Sequence, residues 1–214
     1  MQENAVTRRP RGRPQVRPDE ETLGIIIAAA REEFLANGFG SASMATLAQR
    51  AGVSTKTLYR LMPTKADLFR QVVSARMNRF ILDIDMDALD SLEPVEALSR
   101  VLTLFGELSL GEEGSSIYRL VLTESTRFPE LAAAFFDIAI QPTADLIQTW
   151  LTRQRERGVL RLDDPETVSG ILRGMMLQEP QRAFLLGQHP LPDGAAIAAR
   201  ARICARLFLE GCRA

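Results

Sequence analysis

The chain has 214 residues, a formal net charge of −1 and 46% hydrophobic residues, which suits one globular body or a small head joined to a larger one. No apolar run approaches the roughly 20 residues that a membrane-spanning helix needs, and no apolar stretch follows the N-terminal arginines, which excludes a secretory signal. We therefore expect a cytoplasmic protein without a membrane segment.

The sequence contains few candidate residues for catalysis or metal binding. His189 is the only histidine and lies between Gln188 and Pro190 in a predicted loop. No His, Cys or carboxylate group has metal-ligand spacing, and no second histidine exists around which a triad could be built. Cys204 and Cys212 would lie about 12 Å apart along a helix, too far for a disulfide, and are expected to be packing residues. We expect neither an enzyme nor a cofactor.

Charge is distributed unevenly along the chain. Residues 1–65 contain ten Lys/Arg and six Asp/Glu, a net charge of +4, whereas residues 66–214 carry a net charge of −5. A basic head on an acidic body is expected when only the head meets phosphate. Lys56 and Lys65, the only lysines, both belong to the basic part.

The first two elements are an arm and a helix. Residues 1–17 are polar, rich in arginine and broken by prolines, which predicts a disordered basic arm. After Pro18, apolar residues recur at helical spacing from Leu23 to Phe34, and Asn37-Gly38 ends this first helix.

A helix-turn-helix pattern occupies residues 43–62. Ser43 caps a short helix and Ser54 caps a second one. Ala48 supplies the small residue where the two helices approach, and Gly52 supplies the turn residue that tolerates positive φ. Such a motif places its second helix in the major groove of DNA. The alternative is a plain αα-hairpin that never contacts DNA.

The remaining pattern is also helical. Residues 64–67 cap a fourth helix that runs to about Asp85, and no convincing period-two alternation follows. The sequence predicts an all-α fold of about nine helices, with a three-helix head over residues 18–65 joined by helix four to a body over residues 66–214. The later helices are predicted over residues 95–110, 115–125, 128–157, from 164 onward, and 192–212.

Residues in and around the motif resemble the DNA-binding domain of the TetR family of bacterial repressors. The resemblance covers roughly residues 20–73, and residues 124–131 are similar to C-terminal domains of its AefR-like branch. It implies an all-helical homodimer on a palindromic operator in double-stranded DNA, a variable ligand-binding body, and repression released by a small molecule. The matching residues are Ala30, Phe34, Gly38, Phe39, Met44, Leu47, Ala48, Ala51 to Ser54, Thr57 to Tyr59, Lys65, Leu68 and Phe69.

The resemblance also implies DNA-contacting roles. Phosphate contacts are implied for Ser43, Thr46 and Lys65, and a place on or beside the recognition helix for Thr55, Lys56, Thr57, Tyr59 and Arg60. Two alternatives stay open, since the ring of Tyr59 would otherwise pack under its helix and Arg60 would otherwise be a solvated surface residue.

The chain departs from the family pattern within the motif. Thr55 stands where a lysine is usual, and Leu61 and Met62 stand where tyrosine and phenylalanine are frequent, which puts the operator sequence in doubt. In the arm, Arg11 and Arg13 belong to an Arg-Gly-Arg-Pro stretch that would follow a narrow minor groove, or else form a solvated tail.

The body is expected to bind an unidentified small hydrophobic or aromatic effector. Most of its candidate residues are expected to be core, and a minority to line a cavity. Pro142 removes a hydrogen bond to the carbonyl of Ile138, and the resulting kink would either shape a pocket or follow the core. Pro180 would do the same or end its helix. The candidates are Phe105, Leu108, Tyr118, Leu122, Phe135, Phe136, Trp150, Met175 and Met176.

The last two helices are the expected dimer surface. Gly170 and Gly174 stand one turn apart, and Ile197, Ala201 and Phe208 form a stripe. Two copies would build a four-helix bundle, unless the stripe faces its own core. Helix four, which joins head to body, is the expected lever between ligand and operator. Three rivals remain: a DNA-binding protein without a sensor, an activator, and an all-α enzyme with a vestigial motif.

Overall fold

Residues 17–82 and 84–212 are described by a computed structural model of the chain. They form α-helices and one π-helical turn, with no β-strand in either range. The helices are α1 (Asp19–Asn37), α2 (Met44–Arg50), α3 (Thr55–Leu61), α4 (Lys65–Leu82), α5 (Met86–Asp90), α6 (Pro94–Leu110), α7 (Glu112–Glu124), α8 (Pro129–Phe135), α9 (Gln141–Glu156), α10 (Pro165–Leu185) and α11 (Gly194–Cys212), with the π-helical turn at Phe136–Ile140.

The all-α prediction is confirmed, with one short helix that the sequence analysis missed. Asp85 caps α5 by accepting hydrogen bonds from the amides of Asp87 (3.0 Å) and Ala88 (3.1 Å). A helix of five residues is too short to show an apolar period, which is why the sequence gives no signal for it. Residues 1–16 of the predicted arm, including Arg11 and Arg13, lie outside the described residues.

The head consists of α1, α2 and α3 packed around buried apolar side chains. Ser43 accepts a hydrogen bond from the amide of Thr46 (3.1 Å), and Ser54 accepts one from the amide of Thr57 (3.0 Å). Gly52 makes the turn between α2 and α3 at a φ of 65°. These caps and this turn are the features expected of residues 43–62.

The long α4 packs against the head and against the body. Its buried stripe contains Leu68, Phe69, Val73, Met77 and Phe80. It contacts α1 on one side and α8, the π-helical turn and α6 on the other.

The predicted helix over residues 128–157 is divided into α8 and α9 by the π-helical turn. The irregularity expected at Pro142 lies one turn earlier, where the amide of Gln141 donates to the carbonyl of Phe136 across a π-helical turn. The Thr143 hydroxyl lies 2.8 Å from the carbonyl of Ala139 and 2.9 Å from that of Ile140. The interruption is therefore a π-helical turn, and such turns are frequent at functional sites.

Pro180 lies inside α10 without ending it. A proline frees the carbonyl four residues earlier, here that of Met176. Arg200 on α11 donates its Nε to this carbonyl (2.9 Å) and its Nη2 to the carbonyl of Met175 (2.7 Å). The side chain of Arg200 thus supplies the hydrogen bond that Pro180 cannot donate to the Met176 carbonyl.

The apolar stripe of α11 faces its own subunit. Ile197, Ala201 and Phe208 are buried in the single chain, where α11 packs along α6. The prediction that these residues form the dimer surface is therefore wrong, and the alternative that they face the core is correct. Helical spacing identifies an apolar face but not its partner.

Within the described residues, none of the helices combines the length and apolar character required to cross a membrane.

Candidate nucleic-acid interface and ligand cavity

The outer face of α3 carries the side chains that are free to meet another molecule. Thr55, Lys56 and Tyr59 are exposed, and 53% of the Tyr59 surface is accessible. The ring of Tyr59 therefore does not pack under its helix. Leu58, on the opposite side, is fully buried and fixes α3 to the head.

The hydroxyl groups of the motif are committed to local capping. The Ser43 and Thr46 hydroxyls lie 2.8 Å apart, as do those of Ser54 and Thr57. Ser43 and Thr46 remain exposed at the start of α2, whereas Thr57 is half-buried. Each pair holds a helix start in position and leaves lone pairs for additional contacts.

Arg60 is paired with an acidic residue of α1. Its two terminal nitrogens each lie 2.7 Å from a carboxylate oxygen of Asp19, at a fully exposed site. This bidentate hydrogen bond lowers the pKa of Asp19 and raises that of Arg60. Arg60 is therefore an exposed arginine that pairs with Asp19 in the structure, and its DNA contact stays a prediction.

Lys65 lies at the start of α4, but its ammonium group points into the protein. It donates to the carbonyls of Phe39 (2.6 Å) and Ala42 (2.8 Å) and lies 4.3 Å from the centre of the Phe39 ring. Burial lowers the pKa of Lys65, and nearby Glu124 opposes that shift. The phosphate contact expected from the sequence does not fit this geometry, because Lys65 is bonding the turn after α1.

The same turn is held from the body by Glu124. Its carboxylate oxygens accept hydrogen bonds from the amides of Phe39 (2.8 Å) and Gly40 (2.6 Å). Gly38 adopts a φ of 83°, and a Cβ there would lie 2.5 Å from the Glu124 carboxylate. We call Glu124 with the turn over residues 38–42 and Lys65 the head clasp. Sequence reasoning noticed residues 124–131 as a resemblance but assigned Glu124 no role.

A second link joins the other end of α7 to the head. Glu113 forms a salt bridge with Arg31 of α1 (3.4 Å) and accepts a hydrogen bond from Arg76 of α4 (3.0 Å). The body helix α7 therefore contacts the head near both its ends.

The body contains a partly open cavity of about 380 Å³ between α4, α6, α7, the π-helical turn and α10. This volume lies in the lower part of the range of roughly 300–1,000 Å³ typical of small-molecule sites. Its apolar lining includes Val73, Met77, Phe105, Leu108, Ile117, Tyr118, Phe135, Ala139, Ile140 and Leu177.

The cavity gathers some of the candidate ligand residues and leaves others out. Phe105, Leu108, Tyr118 and Phe135 line it. The others do not: Leu122 and Phe136 are exposed, Trp150 and Met176 are buried in the core, and Met175 is half-buried away from the lining.

Two glycines of α10 also line the cavity. Gly170 and Gly174 belong to its lining, and their role in close helix approach at a dimer surface stays a prediction. A Cβ at Gly174 would meet nothing within 4 Å. The absent side chains leave room in the cavity.

Two arginines supply positive charge at the cavity wall, and sequence reasoning overlooked both. Arg76 is bonded to Glu113 and to the carbonyl of Leu108. Arg173 has a buried Nε without a hydrogen-bond partner, and burial lowers its pKa. Helical spacing could have identified Arg173, because it lies on the same face of α10 as Gly170 and Gly174.

Comparison with protein-family models identifies both parts of the chain. Residues 26–72 match the model described as bacterial regulatory proteins of the tetR family. Residues 96–211, more than half of the chain, match the model described as the C-terminal domain of AefR-like transcriptional repressors. The chain belongs to the TetR family of bacterial transcriptional regulators. Its helix-turn-helix is accordingly the family's DNA-binding domain.

Curated TetR-family relatives are distant. The transcriptional activator FasR of Mycolicibacterium smegmatis is 25% identical over 64% of this chain, and the match spans only 61% of FasR. The regulator EthR of the same organism is 28% identical over 77% of this chain and 74% of its own length.

Solved structures of the family share the fold. A TetR-family regulator from Mesorhizobium loti superposes with a TM-score of 0.80 at 21% identity, over 93% of this chain and all of the other. The flavonoid-responsive regulator FrrA superposes with a TM-score of 0.74 at 28% identity, over 91% of this chain and 98% of the other.

The head clasp yields a stability prediction. Glu124→Gln places an amide NH₂ against a backbone N–H and leaves a donor without its acceptor, which lowers the free energy of unfolding by about 1–3 kcal/mol. Urea denaturation measures this change. Glu156→Gln, at an exposed carboxylate, is the matched control and shifts stability by less than about 0.5 kcal/mol. Equal stability of the two variants would contradict the clasp.

Proposed function

We propose that this regulator is a cytoplasmic homodimeric repressor that binds a palindromic operator through α2 and α3 and leaves it when a small apolar-bodied ligand fills the cavity. The observation that carries this proposal is the capped helix-turn-helix with Lys56 and Tyr59 exposed on α3, above a body that contains a lined cavity.

The DNA-reading surface is the outer face of α3. In this proposal Thr55, Lys56 and Tyr59 enter the major groove, while Ser43 and Thr46 meet phosphate at the start of α2. Arg60 joins them only if DNA displaces Asp19. Lys65 is left out, because its ammonium group is bonded inside the head clasp.

Two heads are needed because one seven-residue recognition helix reads few base pairs. Successive major grooves on one side of DNA lie about 34–36 Å apart, which sets the spacing of the heads. The outward faces of α10 and α11 carry exposed Ile171, Ile203 and Leu207. This surface, opposite the stripe predicted from the sequence, is the proposed dimer face.

The coupling runs through α7 as well as α4. Ile117 and Tyr118 of α7 line the cavity, while Glu113 and Glu124 of the same helix hold the head. A ligand that moves α7 changes where the head sits, and the two heads then lose the spacing of the operator. Ligand and operator therefore weaken each other's binding by the same factor.

The DNA role is tested by fluorescence anisotropy on a labelled fragment from upstream of the protein's own gene, over a salt series with excess random DNA. Saturable binding that survives physiological salt and competitor is expected. Binding that competitor abolishes overturns the proposal for this fragment.

Substitutions on α3 define the interface in the same assay. Tyr59→Ala weakens operator binding about tenfold, and Lys56→Ala lowers the slope of log affinity against log salt by about one unit, since one phosphate contact is lost. Arg161→Ala removes an exposed charge outside the head and leaves both quantities unchanged. Wild-type affinity in both α3 variants would mean that another surface binds DNA.

The dimer face is tested by placing a charge on it. Leu207 is 59% exposed in the single chain, and Leu207→Glu yields a monomer by light scattering, with weaker operator binding. Leu122, 49% exposed on α7, provides the control Leu122→Glu, which stays dimeric. A dimeric Leu207→Glu variant would place the interface elsewhere.

A further inference from the structure

We propose, building on the ligand-responsive function above, that the cavity takes a small monocarboxylate with an apolar body, and that Arg173 binds its carboxylate. The proposal starts from the contrast between the two arginines that line the cavity.

Arg76 has its partners within the protein. Its guanidinium donates to the Glu113 carboxylate (3.0 Å) and to the carbonyl of Leu108, so its charge is already neutralised by a neighbouring helix. A ligand anion at Arg76 would have to compete with Glu113 for the same guanidinium.

Arg173 has no such partner in the described part of the chain. Its buried Nε makes no hydrogen bond, and Arg173 forms no salt bridge with any of the described residues. Asp145 is the acidic group whose charge acts on it, and that carboxylate is exposed and hydrogen-bonded to Gln141 (2.8 Å). Arg173 lines the cavity, so its guanidinium offers a charge and hydrogen-bond donors to an anion there.

The wall around Arg173 is open to a ligand. Gly170 and Gly174 lie on the same face of α10, and a Cβ at Gly170 would lie no closer than 4.0 Å to the Arg173 guanidinium. A planar guanidinium binds a carboxylate through two parallel hydrogen bonds. The space beside Arg173 accommodates a planar anion without moving the backbone.

The rest of the cavity fixes the class of ligand. A single uncommitted arginine balances one negative charge, which favours a monocarboxylate over a phosphate dianion. The remaining lining is mainly aliphatic and aromatic, as suits an apolar body. Gln178 and Gln181 continue the cavity face of α10 and offer amide groups to a second polar end.

The test measures displacement of the fluorescent anion 8-anilinonaphthalene-1-sulfonate from the dimer by decanoate and 4-phenylbutyrate, each paired with its neutral amide. The acids displace the probe at concentrations at least tenfold lower than the amides. Arg173→Gln removes this preference by weakening the acids about 10- to 100-fold, as expected for charge-assisted hydrogen bonds. Arg182→Gln, at an exposed arginine of the same helix, changes nothing.

A second variant separates site loss from misfolding. Gly174→Leu places a side chain in the cavity, where a Cβ at this position meets no atom within 4 Å. The variant therefore keeps its melting temperature but no longer binds the fluorescent probe in the cavity. Acids and amides of equal potency, an Arg173→Gln variant with unchanged preference, or no displacement by any of the four compounds overturns the proposal. The displacement assay contains no DNA, so its result is independent of operator binding. If the wild-type protein binds its operator but shows no preference for the acids, only this inference is overturned. If it prefers the acids but does not bind the operator, only the regulatory function is overturned.

Discussion

The arrangement of head and body depends on the backbone amides of Phe39 and Gly40. These two amides follow the end of α1 and have no partner within that helix. Glu124 accepts both, and Lys65 binds the carbonyls of the same turn. Backbone groups at a helix end need such partners when the surroundings exclude water. The end of α7 therefore fixes the orientation of α1, and through α1 the orientation of the whole DNA-reading motif.

Two basic residues of the head have hydrogen-bond partners within the protein. Lys65 serves the clasp, and Arg60 joins α3 to Asp19 at the start of α1. Over residues 17–65 the sequence holds six Lys/Arg and five Asp/Glu, so three of the four excess positive charges over residues 1–65 belong to residues 1–16. Long-range attraction to phosphate is consequently expected mainly from residues 1–16, and α3 is the proposed reading surface.

Local features of the sequence predicted local structure well. The caps at Ser43 and Ser54 and the turn at Gly52 follow from short-range chemistry and appear as expected. The sequence pattern did not predict which distant elements pack together. The stripe through Ala201 is apolar whichever helix covers it. A glycine such as Gly174 indicates free space, but not whether a helix or a cavity fills that space. Such choices depend on how helices from separate parts of the chain pack, which helical periodicity does not encode.

The central claim is that α7 transmits occupation of the cavity to the head. Hydrogen exchange of the backbone amides, compared between the free protein and the protein saturated with 8-anilinonaphthalene-1-sulfonate, tests it most directly. The account predicts that the amides of Phe39 and Gly40 exchange faster in the complex, because the shifted helix withdraws the carboxylate of Glu124. Exchange that changes only in the segments lining the cavity, with these two amides unaffected, would contradict it.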